Sequence, residues 1–208
     1  MNKSFQSVMA KALTAAALLS SLSACAPLMV GGAVMTGMVA VDRRTSGIQL
    51  EDEGIELRTA QGFRQNLGEG SHVNVTSYNR QVLLTGEVAT AAQKEMADKL
   101  AQSQENVKAV ANELAVQAVS SLTQRSKDAI ITGQIKAYFV DAKDLQSTAF
   151  KIVTERGVVH LMGRVTSREA QRATDIARSV SGVTKVVRVL DIITDEELKR
   201  LSAQPAVQ

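Results

Sequence analysis

Tryptophan is absent from this sequence, and tyrosine and phenylalanine together supply only 3% of it. Any core must therefore be largely aliphatic. One cysteine is present, so no intramolecular disulfide can staple the chain, and stability has to come from packing. No phosphate loop, nucleophile elbow or paired-carboxylate motif occurs, which points away from catalysis. No catalytic residue, cofactor or nucleic-acid partner is expected. Apolar runs also stop short of the ~20 residues that a membrane-spanning helix needs.

The amino terminus does carry an export signal. Lys3 and Lys11 form a positive region, Ala12 to Leu22 an apolar one, and Leu22, Ser23, Ala24 and Cys25 follow. Small residues directly before a cysteine resemble a lipobox, which implies cleavage after Ala24 and acylation of the Cys25 sulfur. Two or three acyl chains anchor a protein far more firmly than one, each buried methylene contributing about 0.8 kcal/mol. Ala26 follows where aspartate would signal retention, so the resemblance implies delivery to the outer membrane, on its periplasmic face. Loss of Lys3 and Lys11 lowers the formal charge from +3 to +1, so bulk charge says little about partners. Leu28 to Val41 is a second apolar stretch with three glycines, too short as a helix to cross a bilayer. It reads either as a membrane-proximal tether (residues 25–48) or as the first buried element of the folded body.

An internal repeat organises the rest. Val73 to Val88 aligns without gaps on Phe150 to Val165 at an offset of 77, while Asp52, Phe63 and Val107 match Asp128, Phe139 and Val183 at 76. Each copy reads as helix, hairpin, helix and strand. The expected helices are 51–67 and 91–103, then 127–140 and 167–179, with Thr90 and Ser167 as N-caps. The expected last strands are 107–116 and 183–193. Asn79 and Gly157 suit positive φ in the hairpin turns, and Asn106 and Gly182 suit it at helix exits. Met96 and Leu100 are expected to face the sheet, as are Ala173, Ile176, Ala177 and Val180. Ile131, Ile135 and Tyr138 read as the core stripe of the second copy's first helix. The fold class is α+β, two small two-layer αββαβ domains at 49–118 and 119–194. A short helix capped by Thr194 and a disordered tail, residues 195–208, close the chain.

The run Leu83 to Val88, repeated as His160 to Val165 and followed by a helix and Ser181 to Val186, resembles the BON domain. With the lipobox and the stretch Asp42 to Gly47, the chain is similar to the dual BON-domain outer-membrane lipoproteins. That resemblance implies a periplasmic protein that binds anionic phospholipid through its second domain, supports envelope integrity, concentrates at division sites and is linked with the barrel-assembly machinery. The implied lipid surface falls on the helix from Asp128 to Val140, giving Lys127, Ile130, Gln134, Lys136 and Ala137 as phospholipid-binding residues for phosphatidylglycerol or cardiolipin. The sequence departs from the family pattern in lacking a tryptophan near Ile130 and in having Gln134 where a lysine is expected.

Charge supports the same domain. Residues 49–115 contain six basic and ten acidic residues, net −4, whereas 122–195 contain twelve and eight, net +4. Ile130 can face lipid or pack on the first domain, and the arginines of the last helix, Arg168, Arg172 and Arg178, can bind an anionic surface or simply be solvated. His72 and His160 are the only histidines and, with Cys25 acylated, make no convincing zinc set, so no metal is expected. A tethered adaptor that recruits a protein through a sheet edge or an inter-domain groove is the competing reading.

Overall fold

The computed structural model describes residues 42–203. The signal segment, Cys25, the apolar stretch 28–41 and the tail 204–208 lie outside the described residues.

Helix α1 (Ser46–Asn66) starts where the Thr45 hydroxyl accepts the Ile48 N–H, and it buries Asp52, Ile55, Thr59 and Phe63 along one stripe. Strands β1 (His72–Tyr78) and β2 (Gln81–Val88) pair antiparallel. Helix α2 (Ala91–Gln102), with a capping box between Thr90 and Gln93, crosses back to a broken strand, β3 (Ala109–Asn112) and β4 (Ala115–Val116), parallel to β2. The second copy repeats this with α3 (Leu122–Asp141), β5 (Phe150–Glu155), β6 (Val158–Thr166), α4 (Ser167–Ser179) and an unbroken β7 (Lys185–Ile193) parallel to β6. Helix α5 (Asp195–Ala203) follows.

Most sequence expectations hold, with corrections at the ends. Helices α1 and α3 begin five residues earlier than expected, because Thr45 and Ser121 are their caps. Thr166, one residue before Ser167, caps α4 and shares a capping box with Glu169. The last strands start at Ala109 and Lys185, two residues later than expected. Tyr138 is 53% exposed, and Phe139 takes the core position beside Ile131 and Ile135. Met96 is outward on α2, where Ala97 and Ala101 are buried instead. Asn106 and Gly182 have the expected positive φ.

Both hairpin turns are two-residue turns with positive φ at each position, Asn79 and Arg80 in the first and Arg156 and Gly157 in the second. An arginine there costs about 1–2 kcal/mol, and the buried aspartate of the preceding helix offsets it. Asp52 accepts the backbone N–H of Asn79 at 2.8 Å and of Arg80 at 2.7 Å. Asp128 does the same for Arg156 and Gly157, both at 2.8 Å. The Asp52 and Asp128 match in the sequence repeat thus reflects one device that ties helix to turn.

Each domain has its own core between helices and sheet. Val82, Leu84 and Val88 face Ile55, Phe63 and Ala97 in the first, while Val159, Leu161 and Val165 face Ile131, Ile135 and Phe139 in the second. Residues pointing the other way from these strands form a third cluster, Tyr78, Leu83, Met162 and Val189, joined by Ala111, Val153 and Val187. The two sheets therefore meet on the faces turned away from their helices. Burying Leu83 and Met162 completely contributes about 1.5–3 kcal/mol each.

A polar rim surrounds this interface. Lys151 Nζ lies 2.6 Å from Glu56, Arg156 Nε 2.7 Å from Glu87, and Asn74 donates to Glu155 at 2.6 Å. The segment entering α1 reinforces it. Arg43 makes a two-pronged pair with Glu169 at 2.7 and 2.9 Å, both side chains nearly fully buried. Arg44, next along the chain, binds Asp52 at 2.8 Å and lies 4.2 Å over the Tyr78 ring. Successive arginines thus grip the two domains, one each.

Candidate functional site

Helix α3 turns Asp128, Ile131, Ile135 and Phe139 inward. Its opposite face would ordinarily be polar. Instead Leu122 is 79% exposed, Ile130 61% and Val140 71%, with Ala129, Gly133 and Ala137 exposed among them. The outer face of α3 is thus mixed, with three large aliphatic residues exposed among polar and small ones.

All five sequence-derived candidates are exposed on this helix: Lys127, Ile130, Gln134, Lys136 and Ala137. Ile130 and Ala137, seven residues apart, lie on the outward ridge with Gln134 beside them, and Lys127 and Lys136 fall on opposite flanks of it. Exposure of Ile130 excludes the reading in which it packs on the first domain. Beside Lys136 a shallow apolar hollow of about 180 Å³ opens between α3 and β5, lined by Phe139, Val140, Phe150 and Ile152 with Ser147 and Thr148 at its edge.

Charge on the second domain divides into paired and unpaired residues. Lys151, Arg156, Arg164 and Arg172 are committed to carboxylates. Arg168 donates to the Asp144 carbonyl. Lys127, Lys136, Lys143 and Arg178 are exposed, and none has a carboxylate within salt-bridge distance among the described residues. Unpaired cations thus flank α3 at Lys127 and Lys136 and recur on α4 and β7 at Arg178, Lys185 and Arg188, while two of the three α4 arginines are tied to the loop after α3.

The residues that sequence reasoning missed lie at the domain junction. Glu87 is buried on β2, where it receives Arg156 on one oxygen and lies 3.2 Å from His72 Nδ1 on the other. Burial opposes its ionisation, but Arg156, Ser120 and His72 hold the carboxyl below the usual range. Glu155 has only the Asn74 amide, and burial pushes its carboxyl up. His160 is buried, and desolvation lowers its imidazole below the ordinary value. The only signal for the junction was the cross-strand spacing of His72 and Glu87, since Glu155 belongs to the other repeat.

Models of protein families match this chain at residues 52–118 and 127–194 with the BON domain. Over 172 residues, 81% of the chain and 88% of the relative, it is 40% identical to the outer membrane lipoprotein DolP of Haemophilus influenzae. The chain belongs to the dual BON-domain family that includes DolP. A 21 kDa hemolysin of Actinobacillus pleuropneumoniae is 35% identical over 155 residues, 74% of the chain and 80% of that relative. The osmotically-inducible protein Y of Escherichia coli is 33% identical over 121 residues, 57% of the chain and 60% of that relative. Each BON copy here corresponds to one helix-clamped hairpin unit, and no described helix is long and apolar enough to cross a membrane.

Proposed function

We propose that the protein is an outer-membrane lipoprotein, held on the periplasmic face by acylated Cys25, whose second BON domain docks on anionic phospholipid through the outer face of α3. It maintains the envelope by binding and has no chemistry of its own. The observation that carries this reading is an outward apolar ridge, Ile130 to Val140, flanked by unpaired Lys127 and Lys136. Ile130 and Val140 would enter the headgroup region while the lysines meet phosphate, each contributing about 1 kcal/mol near an anionic leaflet. The likeness to an outer membrane lipoprotein supports the compartment.

Co-sedimentation of the unacylated chain from Ala26 onward with vesicles tests it. Binding to phosphatidylglycerol or cardiolipin vesicles should exceed binding to phosphatidylcholine and weaken at high salt. Lys127→Glu with Lys136→Glu should abolish the preference, and Ile130→Asp should weaken binding without altering the fold. Equal binding to neutral and anionic vesicles, or indifference to these substitutions, would overturn the reading.

A second reading, a tethered adaptor for a protein such as the barrel-assembly machinery, draws on Leu50 and Leu57, about 70% exposed on α1. The inter-domain groove offers nothing to it, since the sheets fill that space. Crosslinking in cells from Lys127 and Lys136 separates the two: dominant protein adducts favour the adaptor.

A further inference from the structure

His72 and Glu87 face each other directly across β1 and β2 at the end of the first sheet. Glu155, the last residue of β5, reaches the same point from the second domain. One ligand atom from each of the three lies within 4.8 Å of the other two. Exposed acidic clusters are common and mean little, but here the Glu87 side chain is 1% exposed and the His72 side chain 21%.

We propose that His72, Glu87 and Glu155 form a divalent transition-metal site, suited to zinc, that bridges the two BON domains. Two ligand atoms in a tetrahedral zinc shell, each about 2.0–2.2 Å from the metal, stand about 3.3–3.5 Å apart. His72 Nδ1 and Glu87 Oε2, at 3.2 Å, are already near that separation. Only Glu155, at a strand end and half-buried, has to close on them. An imidazole with two carboxylates matches the preference of zinc and its neighbours better than that of magnesium or calcium, which favour all-oxygen shells.

Charge and hydrogen bonding point the same way. Among the described residues one guanidinium directly contacts the two carboxylates, because Arg156 serves Glu87, the Asn74 amide that serves Glu155 is neutral, and Arg125 reaches Glu87 only through Ser120 Oγ. A dication removes the deficit. Arg156 and Asn74 each hold an Oε1 oxygen, and Glu87 Oε2, which faces His72, also accepts from Ser120 Oγ at 3.3 Å. Such outer hydrogen bonds orient ligands. Three protein ligands leave a fourth position for water. The repeat places Ala149 and Arg164 at the equivalent positions of the second copy, so one site is expected per chain.

Titrating chelator-treated full-length protein in detergent with zinc chloride, by calorimetry and by ¹⁵N resonances of the two imidazoles, tests this. The expected result is saturable binding of one equivalent per chain, a shift at His72 Nδ1 with His160 unmoved, and affinity at least about tenfold weaker in both His72→Ala and Glu155→Gln. Should His72→Ala fail to fold, Glu155→Gln and the His72 resonance carry the test together. No saturable binding, unchanged affinity in the folded variants, or a shift confined to His160 would overturn the proposal and leave the cluster as a metal-free ion-pair junction.

Discussion

Helices α1 and α3 occupy equivalent places in the two domains, and their inner faces are nearly interchangeable. Asp52 and Asp128 clamp the hairpin turns, and Phe63 and Phe139 fill the cores. Their outer faces differ residue by residue: Glu51 stands where the second copy has Lys127, Gly54 where it has Ile130, Arg58 for Gln134 and Gln61 for Ala137. The inner face is fixed by what a hairpin and an aliphatic core require. The outer face, free of that requirement, is where the copies diverge: α1 exposes Leu50 and Leu57 beside the paired Glu51 and Arg58, whereas α3 exposes Ile130 and Val140 between the unpaired Lys127 and Lys136. The differences between the copies thus lie on the outer surface and at the junction, not in the shared core.

Glycine in the second hairpin strand offers the largest test of how alike the shared parts are. A Cβ at Gly86 would sit 2.0 Å from the His72 carbonyl oxygen, at a φ of +108°, and one at Gly163 would sit 2.4 Å from the Ala149 oxygen without the positive φ. Both glycines admit the carbonyl of the residue before their cross-strand partner, Val73 for Gly86 and Phe150 for Gly163, but only Gly86 is also held where L side chains are strained. Gly86→Ala should cost on the order of 4 kcal/mol and Gly163→Ala less, read as denaturation midpoints. Equal losses would show that the close carbonyl alone sets the requirement in both copies.

The Arg43 clamp comes next. It ties the chain entering the first domain to the α4 N-terminus of the second, and removing one partner of a buried pair costs about 3–5 kcal/mol. Arg43→Ala should approach that figure, whereas Lys99→Ala, which removes an exposed pair with Glu95, should barely register. Burial opposes ionisation of Glu169, yet Arg43 and the Thr166 N–H and hydroxyl hold its carboxyl below the usual value. A depressed carboxyl stabilises the fold above its unfolded pKa and loses that contribution as pH falls through the folded one. Stability of the parent should thus fall on acidification below the ordinary carboxylate range, and Arg43→Ala should flatten that slope. An unchanged slope would place the acid sensitivity elsewhere.

Much of this was legible in the sequence, for identifiable reasons. The repeat at offsets of 76 and 77 fixed the two copies and their element order, and glycine or asparagine at turns and helix exits marked the junctions. The candidate lipid-binding residues came from the family resemblance rather than from periodicity, and all five prove exposed on α3. Helix periodicity failed where two apolar residues adjoin: Tyr138 and Phe139 compete for one inward position, and the residue without a hydroxyl takes it. Positive φ at Arg80 and Arg156 was hidden because the compensating carboxylates sit on another element. The sheet-on-sheet contact, the Arg43 pair and the His72, Glu87 and Glu155 cluster join residues from different repeats, and single-copy patterning has no information about them.

The smallest expected effect sharpens the contrast between the two outer faces most directly. Glu51→Lys with Gly54→Ile gives α1 the character of α3 at two equivalent positions. The helix should accept this, since a Cβ at Gly54 would meet only the tip of the flexible Arg58 side chain, at 2.9 Å, and replacing a helical glycine recovers up to about 1 kcal/mol. If a local apolar and basic face is what binds anionic vesicles, the graft should raise co-sedimentation by a few-fold at most, because Glu53 and Glu56 still flank it. The same two-charge change made away from either helix face, for example Glu113→Lys, should then do less. Equal gains from both variants would mean that net charge, rather than the outward ridge of a particular helix, decides which BON copy meets the membrane.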